Sequence, residues 1–167
     1  MTESKKTQDF LRAGRQDRLL HELVHDPYKS KHKLPEPTVC PDCGAIFHHG
    51  RWQWGERPAD AHEEFCPACH RMRDEVPAGF LTLQGEFFAA HKEEIVNLVH
   101  NIEAKAKKEH PIERIMGTED LEDGIVITFT DAHLTRGVGE AIHHAFKGEL
   151  DFHYTDEDAS LRVNWSR

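Results

Sequence analysis

Two Cys-x-x-Cys pairs, Cys40 with Cys43 and Cys66 with Cys69, constrain the fold of this chain more than any other feature. Each pair forms a turn that aims two sulfurs at an ion about 2.3 Å away, and two such turns complete a tetrahedron. The segment between them has few apolar side chains, and a metal supplies the stability that so small a core lacks. We therefore predict one structural Zn²⁺ bound by these four cysteines. An iron–sulfur cluster and disulfide or redox chemistry are the alternatives.

The chain also has 14 histidines, which raises the question of catalysis. The sequence contains no HExxH zinc-protease motif, no GxSxG nucleophile turn and no GxxxxGK[ST] phosphate loop. The glycines at 137 and 139 are better interpreted as close helix–sheet packing than as a phosphate site. His70 is a possible substitute for its neighbour Cys69, and a second metal site built from histidines stays open. We predict a protein that is not an enzyme and has no small-molecule substrate.

Charge is distributed unevenly along the chain, whose net charge is −9. Residues 1–39 contain eight Lys and Arg against six Asp and Glu, whereas residues 119–167 contain four against eleven. A basic arm on an acidic body can still dock on phosphates locally. No run of 18 apolar residues and no secretory signal pattern occurs, so we expect a cytoplasmic protein without a membrane partner.

Composition divides the chain into three parts: a basic arm (residues 1–39), a four-cysteine zinc-ribbon unit (40–73) and an α/β domain (79–167). Apolar spacing over residues 9–25 predicts a helix in the arm, and the prolines that follow favour an extended path. The α/β domain has its own apolar faces, so we expect it to keep its fold when the metal site is empty.

The α/β domain alternates between strand and helix patterns. Helix patterns cover residues 86–108 and the segment between Asp131, a predicted N-cap, and Gly148, a predicted stop. Strand patterns cover residues 80–83, 112–116, 124–130, 150–154 and 161–165. This order matches an α+β fold with a ferredoxin-like βαββαβ plait, followed by a final strand.

Basic and aromatic side chains near the cysteines form a candidate RNA-binding set. Alternating lysines in an extended arm lie on one side, arginines can meet phosphates, and exposed indoles can stack on unpaired bases. The two tryptophans are equally well explained as the small core of the cysteine unit. The candidate residues are Lys29, Lys31, Lys33, Arg51, Trp52, Trp54, Arg71 and Arg73.

The motifs CPDCG and CPACH, together with the segment TDAHLTRGVGEAI at residues 130–142, resemble a bacterial relative of the Nmd-type family. That family includes zinc-containing ribosome-binding and large-subunit export proteins. The resemblance covers roughly residues 38–167 and implies association with the ribosome or its RNA, with an effect on ribosome stability or translation. A protein-interaction or transcription-associated zinc ribbon is the alternative function.

Overall fold

The computed structural model describes Tyr28, residues 33–157 and residues 159–167. The helix predicted over residues 9–25 lies outside these described residues, and so do Lys29 and Lys31. The described chain contains a small sheet next to the cysteines and a larger sheet that follows it, each accompanied by helix. The predicted α+β class is confirmed.

Four short strands and one helix make up the cysteine unit (residues 38–74). They are β1 (Thr38–Val39), β2 (Ile46–His48), β3 (Arg51–Gln53), β4 (His62–Glu63) and α1 (Pro67–Asp74). The strand order is β3-β2-β1-β4, with β1 antiparallel to β2 and parallel to β4. His49 and Gly50 join β2 to β3 with φ angles of 51° and 76°. Left-handed backbone at both positions is what a two-residue hairpin turn requires, and the glycine adopts it without strain.

Five strands and three helices make up the α/β unit (residues 79–166). They are β5 (Gly79–Gln84), α2 (Glu86–Ala90), α3 (Lys92–Glu109), β6 (Ile115–Asp120), β7 (Gly124–Phe129), α4 (Ala132–Phe146), β8 (Glu149–Tyr154) and β9 (Leu161–Ser166). The strand order is β6-β7-β5-β9-β8, in which β5 and β9 are parallel and all other neighbours are antiparallel. The N-cap prediction is confirmed, because the Asp131 carboxylate accepts the N–H of Leu134 at 2.9 Å.

The strand order departs from the predicted ferredoxin-like plait. In a βαββαβ plait the fourth strand pairs with the first, which would place β8 beside β5. Instead β9 runs between them, with Leu81 of β5 opposite Val163 of β9. Leu161, Val163 and Trp165 are all buried, so β9 has the apolar inner face of a central strand and β8 lies at the edge.

Two element boundaries also differ from prediction. The helix expected over residues 86–108 is broken at His91, whose φ of −122° separates α2 from α3. The strand expected over residues 112–116 begins only at Ile115 and continues through polar residues to Asp120. Because β6 is an edge strand with exposed side chains, polar residues are tolerated there and conceal it in the sequence.

The core of the α/β unit lies between its sheet and the two long helices. Ile95 and Val99 of α3, Val138 and Ile142 of α4, and Trp165 of β9 are at most 1% exposed. Along β5, β7 and β9, fully buried side chains on this face alternate with partly or fully exposed ones on the other face of the sheet.

Candidate metal centre

The first pair of cysteines lies in the turn between β1 and β2. The N–H of Cys40 donates to the Ala45 carbonyl at 2.8 Å, and the N–H of Gly44 donates to the Cys40 carbonyl at 2.9 Å. Gly44 has a φ of 79°, which a side chain would disfavour, so the glycine allows the chain to turn back within five residues. Cys40 and Cys43 are thereby held on the inside of one tight turn.

The second pair is built on the first turn of α1. Cys66 is the N-cap of this helix, and its sulfur accepts the N–H of Cys69 at 3.3 Å. Pro67 follows at the first helical position, where its missing N–H costs nothing. The positive end of the helix dipole is therefore directed at the sulfurs, which favours their negatively charged form.

The four sulfurs lie within 4.8 Å of one another. Sulfurs placed about 2.3 Å from one tetrahedral ion are about 3.8 Å apart, and the Cys43 and Cys66 sulfurs are separated by 3.8 Å. All four cysteines are free, whereas a disulfide needs sulfurs about 2.05 Å apart. The donor set therefore fits a single tetrahedral metal ion. With four protein ligands such a site keeps no position open for a substrate.

Burial and protonation at this cluster both favour a bound cation. Cys40, Cys66 and Cys69 are at most 5% exposed, and Cys43 is partly exposed. The hydrogen bond from Cys66 lowers the pKa of Cys43, while the same hydrogen bond and burial raise the pKa of Cys66. Burial also raises the pKa of Cys69. The thiols of Cys66 and Cys69 thus resist ionisation by themselves, and four thiolates at this separation require a cation between them.

Arg114 contacts the same sulfurs from the α/β unit, and nothing in the sequence pattern had marked it as part of the site. Its guanidinium donates to the sulfur of Cys69 at 3.3 Å and to that of Cys66 at 3.4 Å. The residue is 8% exposed and lies in the loop between α3 and β6. Burial would lower the pKa of Arg114, but the hydrogen bond to Cys69 and the charge of the sulfurs raise it.

No histidine among the described residues takes part in this centre. His70 is exposed and lies 3.8 Å from the Asp74 carboxylate, one helical turn further along α1. His48 and His49 are exposed on the β2–β3 hairpin, with ring centroids 3.9 Å apart. Within the part of the chain that the structure describes, the cysteines are the one group of three or more His, Cys, Asp or Glu side chains placed to hold a metal ion.

Three of the predicted RNA-binding residues lie on or beside the hairpin. Arg51 is exposed, opposite His48 across the strand pair. Trp52 is half-buried, with its ring 5.5 Å from that of Phe47. Trp54 is 38% exposed, and its indole N–H donates to the Lys107 carbonyl of α3 at 2.6 Å. The two tryptophans therefore have structural contacts, and Trp54 also presents surface to solvent.

The arginines after the second cysteine pair are engaged within the protein. Arg71 is 3% exposed, donates to the Val76 carbonyl at 3.0 Å and lies over the Tyr28 ring. Arg73 forms two hydrogen bonds to the Asp42 carboxylate, at 2.6 and 2.8 Å. Lys33 is exposed, and the hydrogen bond from Gly50 together with the charge of Lys33 lowers the pKa of the Glu36 carboxyl. Arg71 and Arg73 thus have partners within the protein, and the RNA-binding role of the predicted set stays a prediction.

The fold and site define a class of protein in which a unit with four clustered cysteines, placed so that they could bind a metal ion, is joined to an α/β unit. Comparison with protein-family models, with curated proteins and with solved structures gives no match. The resemblance to the Nmd-type family accordingly stays a prediction. Among the described residues, no helix combines the length and the apolar composition needed to cross a membrane.

Proposed function

We propose that this chain is a non-enzymatic zinc protein of the cytoplasm that binds ribosomal RNA and affects ribosome stability or translation. Four cysteine sulfurs that lie within 4.8 Å of one another can coordinate a zinc ion or an iron–sulfur cluster. A single mononuclear site with 3.8 Å between two of its sulfurs favours zinc. The metal then has a folding role, because the ligand set is closed.

The observation that best supports RNA binding is the exposed tip of the β2–β3 hairpin. His48, His49 and Arg51 are all exposed there, and no ion pair to Arg51 is found among the described residues. An unpaired guanidinium beside two imidazole rings can contact a phosphate and stack on unpaired bases. Both turn residues have the positive φ angles that a two-residue hairpin requires, and the Glu36 carboxylate accepts the N–H of Gly50 at 2.7 Å.

Trp54 and the C-terminal end of α3 form a second exposed surface, at the other end of β3 from the tip. The hydrogen bond from Trp54 to Lys107 brings the strand end next to two exposed lysines, Lys107 and Lys108. Ammonium groups beside a partly exposed indole are the combination that single-stranded RNA sites use. The surface therefore combines charge for affinity with rings for stacking, although the protein as a whole is acidic.

Sedimentation of the zinc-loaded protein with purified ribosomes, at several salt concentrations, tests the proposal. Binding to RNA should weaken steeply as salt rises, because each phosphate contact releases counterions. Arg51→Gln should lower the slope by about one unit, because it removes one cation from the phosphate interface. Arg162→Gln, which removes an exposed arginine from the outer face of the large sheet, is the matched control and should bind like the wild type.

Treatment with RNase separates the two candidate functions. Loss of the complex after RNase would support RNA recognition. A complex that survives both RNase and high salt would contradict it and would favour a protein-interaction or transcription-associated module. Equal salt slopes for wild type and Arg51→Gln would remove the hairpin from the interface.

A further inference from the structure

Arg114 reaches the cysteine cluster from a different unit of the protein. It lies 45 residues beyond Cys69 and 48 beyond Cys66, yet it donates a hydrogen bond to each sulfur. Its Nε also donates to the Pro111 carbonyl at 2.6 Å. All three nitrogens of the guanidinium therefore donate hydrogen bonds. The bond from Nε to the carbonyl of Pro111 orients the other two nitrogens toward the sulfurs.

The loop is in turn anchored to the large sheet. The backbone N–H of Arg114 donates to the Thr130 hydroxyl at 2.9 Å, and this hydroxyl donates to the Ile112 carbonyl at 2.6 Å. The N–H of Thr130 donates to the Arg114 carbonyl at 2.9 Å. Because Thr130 follows β7 directly and precedes the cap of α4, a movement of Arg114 is transmitted to the middle of the α/β unit.

Charge determines what this contact can do. One divalent ion and four thiolates carry a net charge of −2, and a buried guanidinium compensates half of it. A guanidinium at 8% exposure is in turn costly to bury without a negative partner. The metal-loaded cluster supplies that partner at the two sulfurs that Arg114 contacts.

A second contact between the units lies beside the first. Ile112 packs against the buried cluster of Cys40, Ala45, Cys66, Ala68 and Cys69. The two units therefore share a small interface that contains Arg114 and Ile112. The sequence-based expectation that the α/β domain folds independently of the metal site did not include this interface.

We propose that Arg114 is a positioning residue of the metal centre, through which metal binding is coupled to the docking of the α/β unit on the cysteine unit. Metal affinity then depends on Arg114, and the order of its loop depends on the metal. This inference rests on the proposed metal binding and is independent of RNA binding.

The first experiment measures Zn²⁺ affinity of the full chain by competition with a chromophoric chelator at fixed pH and salt. Arg114→Gln should weaken binding about 10- to 100-fold, the usual loss when an outer partner of a metal ligand is removed. Arg114→Lys keeps the positive charge but cannot donate to both sulfurs in the same way, so its Zn²⁺ affinity should lie between those of Arg114→Gln and the wild type. Arg162→Gln removes the same charge elsewhere in the α/β unit and should bind Zn²⁺ as the wild type does.

The second experiment needs no variant, so it stands even if Arg114→Gln fails to fold. Hydrogen exchange of the wild type is compared with and without Zn²⁺. Removal of the metal should increase exchange in residues 111–116 and at Thr130, and should leave the edge strand β8 unchanged. Unchanged exchange in residues 111–116, or unchanged affinity in a folded Arg114→Gln, would overturn the coupling. A wild type that binds no Zn²⁺ would overturn the metal proposal and the coupling together.

Discussion

Two glycines on α4, Gly137 and Gly139, provide a matched pair of substitutions with opposite expected effects. Gly137 is exposed, and a Cβ added there meets nothing within 4 Å. A Cβ added to Gly139 would lie 2.7 Å from Cγ1 of Val163 and 3.4 Å from Cδ1 of Leu150. Val163 is a branched residue on a central strand, so it cannot move aside as a flexible side-chain end would.

The expected magnitudes follow from these distances. Gly137→Ala should stabilise the protein by about 0.8–1.0 kcal/mol, the difference in helix propensity. Gly139→Ala gains the same helix propensity but overpacks the helix–sheet contact at a cost of about 1–3 kcal/mol, so we expect a net loss of up to about 2 kcal/mol. The two variants should therefore differ by the overpacking cost, about 1–3 kcal/mol, which corresponds to roughly 2–12 °C in Tm for a chain of this length.

Thermal unfolding of the zinc-loaded protein, followed by far-ultraviolet circular dichroism, measures this difference. The wild type should lie between the two variants. If Gly139→Ala stabilised the protein as much as Gly137→Ala does, close packing of α4 on β9 would not be the reason for a glycine at position 139. The interpretation of this segment as a packing motif would then be refuted.

Three further predictions concern the metal, Trp54 and Glu113. Removal of zinc by a chelator, or by Cys66→Ser, should abolish exchange protection of the cysteine unit, since metal binding supplies on the order of 10 kcal/mol to such segments; retained protection would contradict this. Trp54→Phe loses the N–H that donates to Lys107 and should cost about 0.5–1.5 kcal/mol by chemical denaturation, whereas RNA affinity should fall only in Trp54→Ala, which also loses the ring. Burial and the nearby Asp131 raise the pKa of Glu113, so its ionised form is disfavoured in the folded state. Glu113→Gln should therefore raise Tm at neutral pH, and the difference should vanish as the pH falls below the ordinary carboxyl pKa; an effect that is independent of pH would contradict this.

The metal ligands could be predicted because their information is local. A Cys-x-x-Cys turn determines the direction of both sulfurs within four residues, and two such turns need only meet. The start of α4 was likewise predictable, since Asp131 caps the N–H of a residue three positions away. The same reasoning could not supply the position of β9. Alternation of apolar residues determines which face of a strand is buried, but it does not determine which strand lies beside it.

The arginines show the same limit at the level of single side chains. Arg71 follows a cysteine pair and carries a guanidinium that could bind a phosphate, yet its side chain is buried. It lies three positions after the buried Ala68, and residues at this spacing share one face of a helix. Arg114 lies in the segment PIERI at residues 111–115, and the apolar residues on either side of it, Ile112 and Ile115, were the signal that could have indicated its burial. Its hydrogen-bond partners could not be predicted from the sequence, because Cys69 and Cys66 lie 45 and 48 residues away along the chain.

The distribution of positive charge around the sulfurs also distinguishes between a structural and a reactive centre. Cys66 and Cys69 receive hydrogen bonds from Arg114, and Cys66 also accepts one from the first turn of α1. Donors to a thiolate withdraw electron density and make it a poorer nucleophile, and such an environment favours a structural metal site over redox chemistry. A reactive cysteine needs an exposed thiolate, and three of these four are at most 5% exposed. The environment that the α/β unit and α1 build around the cysteines is therefore better suited to holding a metal ion in place than to chemistry at the sulfurs.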